Sequence, residues 1–73
     1  PERRTLDDGT VVESPANAVY RIEFSPRSRR IVLERGEAYF EVAPDATRPF
    51  VVVAGSVDVR AVGTVFSVHR QTA

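Results

Sequence analysis

Apolar residues recur at every second position along most of this chain. From Val19 to Phe24, Tyr20, Ile22 and Phe24 fall on one side and Arg21 and Glu23 on the other. From Glu37 to Val42 the same rhythm places Ala38, Phe40 and Val42 together and Tyr39 and Glu41 opposite. Val57, Val59 and Ala61 alternate with Asp58 and Arg60, and Phe66 and Val68 share a side in Val65 to Arg70. A period of two is the signature of half-buried strands, because successive side chains leave a pleated backbone on opposite faces. No window carries apolar residues at helical spacing without a glycine or proline interrupting it.

Turn residues punctuate these runs at intervals typical of sandwiches and barrels. Asp8-Gly9 predicts a type I′ hairpin, since both residues tolerate positive φ. Ser14 to Asn17 and Ser25 to Ser28 read as turns, and Gly55-Ser56 as another. Arg35-Gly36 is expected to break the strand that starts at Ile31, as a turn or bulge. Pro44 to Pro49 is the longest loop, and Gly63 is read as a kink. The expected fold is all-β: a small antiparallel two-sheet sandwich or curled roll of about seven short strands. The expected core holds Tyr20, Ile22, Phe24, Ile31, Leu33, Phe40, Val42, Phe50, Val52, Val59, Phe66 and Val68.

Length and composition narrow the picture. A chain of 73 residues is a single domain with a modest core, and without cysteine no disulfide can reinforce it. It starts at Pro1 and is read as a piece of a longer protein. With 10 basic and 10 acidic residues the formal charge is zero, which argues against a nucleic-acid partner. No stretch approaches the roughly 20 apolar residues of a membrane-spanning helix, so direct membrane insertion of this segment is not expected.

Candidate chemistry is sparse. Ser67 and His69 share a face and Asp58 could approach from a neighbouring strand, but a triad also needs an oxyanion hole and a pocket, and no nucleophile-elbow motif accompanies these residues. A single histidine falls short of a catalytic zinc site. Glu34, Glu37 and Glu41 read as partners of cross-strand arginines on a wet face. Arg27-Ser28-Arg29-Arg30 forms a basic cluster on a predicted turn, either a solvated loop tip or a dock for an acidic partner or a phosphate-bearing envelope component. Val51-Val52-Val53 is apolar on both faces, so Val51 and Val53 need cover from the fold or from a partner. The candidate partner surface is therefore Val51, Val53, Tyr39, Arg27, Arg29 and Arg30. No catalytic residue, metal ligand or cofactor is expected, nor is enzymatic activity.

Four blocks carry a resemblance that spans nearly the whole chain. Leu6-Asp7-Asp8-Gly9-Thr10 resembles the Leu-Pro-Asp-Gly-Ser/Thr opening of the FecR family, and Gly36-Glu37-Ala38-Tyr39-Phe40-Glu41-Val42 resembles its Gly-Glu-Ala-x-Phe-x-Val strand. Arg48 to Gly55 and Val59 to Val68 resemble the Arg-Pro-Phe-x-Val-x-Ala-Gly and Val-x-Ala-x-Gly-Thr-x-Phe-x-Val segments that follow. Asp7 stands where the family has proline, and the loop after Val12 lacks the family's Leu-Asn pair.

The resemblance implies that residues 1–73 form one FecR-like β domain in the periplasm, part of a protein anchored in the bacterial inner membrane. It implies a non-catalytic module of an anti-sigma or sigma-factor regulator of the kind that controls iron uptake. Its partner would be the signalling domain of an outer-membrane TonB-dependent transducer, or an adjacent C-terminal domain of the same protein. The alternative reading is an envelope glycan- or peptidoglycan-binding module, for which Tyr39 is the clear outward aromatic.

Overall fold

The structure is a computed structural model that describes residues 2–61 and 65–70. Seven strands follow in chain order: β1 Glu2–Thr5, β2 Val11–Ser14, β3 Val19–Phe24, β4 Arg29–Glu41, β5 Phe50–Ala54, β6 Val57–Ala61 and β7 Val65–Arg70. They make one mixed sheet that folds over on itself through β4.

The thirteen residues of β4 serve two leaves. Its first half pairs with β3 on one side and β5 on the other, and β6 continues beyond β5. Its second half lies between β2 and β7, and β1 continues beyond β2. The exchange of partners falls at Gly36, where φ is +82°. A side chain there is doubly disfavoured: the backbone is left-handed, and a Cβ would sit 3.1 Å from the Ala18 Cα. Beside it, the β3–β4 register slips between Val19 and Tyr20, which bends the strand further. The expected break at Arg35-Gly36 is thus a bend within one continuous strand.

The expectation of a wholly antiparallel sheet needs correction at one pair. β5 runs parallel to β4, with Arg29 opposite Phe50 and Leu33 opposite Ala54. A parallel pair requires a long crossover, usually a helix. Here the crossover runs from Glu34 to Pro49, the second half of β4 and the loop after it. Because β4 has folded over, its far end returns the chain beside its own start. The strand entering the Asp8-Gly9 hairpin is β1, although Glu-Arg-Arg-Thr has no apolar alternation to mark its bounds.

Between the leaves lie Leu6, Val12, Ile31, Leu33, Ala38, Phe40, Val42, Phe50, Val52, Ala61 and Val68, with Tyr20, Ile22, Phe24, Val59 and Phe66 packed against them. All the side chains expected inside are in one of these two groups. Phe40 from one leaf meets Phe50 from the other edge-to-face at 5.8 Å, and Phe66 stacks on Phe40 at 5.4 Å.

The turns follow local chemistry. The Leu6–Gly9 turn closes with the Gly9 amide donating to the Leu6 carbonyl at 3.0 Å, and φ of Gly9 is +90°. Among the described residues no residue other than glycine has positive φ. Asp8 therefore does not adopt the expected type I′ geometry; a type I turn followed by a glycine bulge fits these angles. Asp7 occupies the position where such a turn favours proline, so the departure from the family pattern leaves the turn intact. Gly63 lies outside the described residues.

Candidate functional site

The most tightly built polar group in the molecule was expected on its surface. Alternation carries inward from Leu33 to Ile31 to Arg29, and the Arg29 side chain is fully buried between the leaves. Its guanidinium lies 5.3 Å from the Phe50 ring centroid. Nη1 donates to Asp8 Oδ2 at 2.8 Å and to the Ala43 carbonyl at 2.6 Å. Nε donates to the Arg48 carbonyl at 3.0 Å, and Nη2 reaches the Asp45 carbonyl at 3.4 Å. One side chain thus fastens the Leu6–Thr10 hairpin and the loop after β4 to the first leaf.

Asp8 is held as firmly, its side chain 3% exposed. Thr10 donates to it from its amide at 3.0 Å and from its hydroxyl at 2.7 Å. The same hydroxyl accepts the Ala43 amide at 3.1 Å. Burial alone would push the Asp8 carboxyl up, but the hydrogen bonds from Thr10 and Arg29 outweigh it and hold it below the ordinary carboxylate value. No buried side-chain polar atom among the described residues lacks a partner. Arg29 is consequently removed from the candidate partner surface: it is fully buried, and each of its three guanidinium nitrogens has a partner inside.

Arg30, one residue on, points the other way. It lies on the outer face of the first leaf, opposite Glu23 on β3 and Val51 on β5. Val53 follows on that face, between Val32 and Asp58. Val51 and Val53 are half-buried, and none of the described strands crosses over them. Charged side chains frame them instead. Arg21 bridges Glu34 at 2.8 Å and Glu23 at 3.4 Å, and Arg30 reaches Glu23 at 3.6 Å. Arg27 is exposed at the turn between β3 and β4, which Ser25 and Ser28 close through their backbones at 2.9 Å.

Tyr39 stands on the outer face of the second leaf, 41% exposed, between Glu13 on β2 and Ser67 on β7. It lines an open groove of about 510 Å³ with Glu13, Pro15, Glu37 and Ser67. The candidate surface is therefore two surfaces on opposite sides of the fold: Val51, Val53 and Arg30 with Arg27 at their edge, and Tyr39 alone. The same separation dismantles a Ser-His-Asp arrangement. Ser67 and His69 belong to the second leaf, and Asp58 belongs to the outer face of the first. Among the described residues no group of His, Cys, Asp or Glu is placed to hold a metal ion, and no helix is long and apolar enough to cross a membrane.

The comparisons with known proteins bear on this arrangement. The family described as FecR protein matches residues 3–73. The chain belongs to the FecR family. Two crystal structures of a proposed anti-sigma factor from Parabacteroides distasonis ATCC 8503, at 1.65 and 2.50 Å, share its fold with TM-scores of 0.86 and 0.85. Each is 39% identical to this chain and covers 94% of it. This chain spans 33% of the length of those proteins. Among curated proteins no match is found.

The family blocks acquire physical meaning here. Gly36, which opens the second block, is the bend at which β4 changes leaves, and Phe40 and Phe50 from successive blocks meet across the core. Asp8 of the first block is the counter-charge of Arg29.

Proposed function

We infer that this chain is a non-catalytic signalling module of an anti-sigma or sigma-regulator protein. It works on the periplasmic side of the bacterial inner membrane. There it relays the state of an outer-membrane TonB-dependent transducer by protein–protein contact. The observation that carries this reading is the likeness to the proposed anti-sigma factor, at 39% identity over 94% of the chain. The outer face of the first leaf supports it: Val51 and Val53 form a half-covered apolar strip inside a charged frame, the make-up of a docking patch with a polar rim.

The test uses Val53→Lys in the full-length protein with a reporter driven by the cognate sigma factor. The reading expects normal protein level and a lost response to the transducer's ligand. An unchanged response removes this face as the interface. A reporter indifferent to deletion of the whole protein removes the regulatory reading.

The Tyr39 groove favours a second reading, an envelope glycan-binding module, because an exposed ring beside carboxylates and a hydroxyl suits sugar stacking and hydrogen bonding. Retention on peptidoglycan that disappears in Tyr39→Ala is its expected signature.

A further inference from the structure

The fold is open along one side. β1 is the edge of the second leaf and β3 the edge of the first, and neither is hydrogen-bonded to the other. Two hollows lie between them. One, of about 510 Å³, is lined by Arg4, Val19 and Tyr20 among others. The second, of about 290 Å³, is lined by Arg4, Leu6, Ile22 and Phe24 among others. Together they make a slot running the length of both edge strands.

Its walls are unlike. From β3 come Tyr20, Ile22 and Phe24, which face the core yet remain only partly covered. From β1 comes Arg4, which lies opposite buried Val12 and so shares its inward side. Arg4 lines both hollows, and no salt bridge engages it among the described residues. Glu2 lies at one end of the slot and Asp7 at the other; Arg3 also borders the first hollow but is bridged to Glu13 at 2.8 Å, so the charges left without an ion-pair partner run acid, arginine, acid among the described residues.

We propose that this slot receives an extended segment of another protein, which pairs with the free edge of β3 and becomes a fifth strand of the first leaf. The edge backbone supplies unpaired N–H and C=O groups, the recognition mode of β-strand addition. Alternate side chains of the incoming strand fill the two hollows. A carboxylate between them meets Arg4, and basic or neutral residues suit the ends. This site is separate from the outer-face patch and does not depend on the relay described above.

The probe is a nine-residue peptide whose inward side chains read Lys, Val, Glu, Val, Lys and whose outward ones are threonine. The expected result is saturable binding to the 73-residue chain, with backbone amide NMR shifts concentrated on β3 and β1. N-methylation of the pairing amides abolishes it. Arg4→Glu weakens binding roughly five-fold, the upper range for one partly exposed ion pair, and prefers a peptide with central lysine in place of glutamate. No saturation by about 1 mM, shifts lying elsewhere, binding that survives N-methylation, or a charge preference unmoved by Arg4→Glu each overturns the proposal.

Discussion

Arg29 and Arg4 both point between the leaves, and they live in opposite conditions. Arg29 lies where the folded-over end of β4 brings the first hairpin and the 42–49 loop against the first leaf, and an aspartate and three carbonyls meet its donors. Arg4 lies where the two leaves part, beside hollows and with no ion-pair partner among the described residues. The difference is one of surroundings and not of side-chain chemistry. A guanidinium satisfied by its own chain is structural, whereas one left in an open slot is available to something else.

The largest effect expected comes from breaking the closed side. Asp8→Ala leaves a buried arginine without its counter-charge and should cost on the order of 3–5 kcal/mol. A chain of this length has roughly 4–11 kcal/mol in all, so the variant should lose a large share of its stability and unfold at a markedly lower urea concentration. Adding Arg29→Met should recover part of the loss, because removing both charges also removes the desolvation problem. Urea denaturation of the single and double variants decides it; a double variant no better than Asp8→Ala alone would show that Arg29 acts through its carbonyl contacts.

The matching change on the open side should be nearly silent. Arg4→Ala is expected to shift stability by no more than about 0.5 kcal/mol, as for exposed side chains without a built environment. A larger loss in the same denaturation experiment would mean that Arg4 already holds the leaves together, and the contrast would dissolve.

Acid should produce the smallest and most local change. Asp45 accepts hydrogen bonds from the Thr47 hydroxyl and from Arg48 Nε, and these hold its carboxyl down to about 2 from an ordinary 3.8. A carboxyl with a lowered folded-state pKa contributes stability that is fully present above 3.8 and is lost as pH falls toward about 2. Asp8 is shifted in the same direction. Side-chain NMR titration should show Asp45 protonating with an apparent pKa near 2, and the loop from Asp45 to Arg48 loosening with it. An Asp45 that titrates at the ordinary 3.8 would mean that its loop contacts do not persist in solution.

Much of this was legible in the residues. Alternation located every expected core side chain, because the period of a pleated strand is short enough to read within six residues. The failures have two causes. Arg29 was assigned to the surface by its charge, although it sits in phase with Ile31 and Leu33; following the alternation one step further would have turned it inward. Its partner Asp8 carried no such signal, since the contact spans 21 positions of sequence. The parallel β4–β5 pair was likewise hidden, because nothing local shows that a strand will fold back on itself at a glycine. The candidate surface divided for the same reason: which leaf a residue belongs to is settled by that bend, and no window of sequence contains it.

The sharing of β4 has a consequence for how the domain comes apart. Four of the six other strands, β2, β3, β5 and β7, are hydrogen-bonded to it directly. Both leaves are built on halves of this one strand, so neither can melt alone and leave its neighbour standing. Protection of β4 amides against solvent exchange should therefore vanish along all of the strand at once, on both sides of Gly36, at the free energy of complete unfolding.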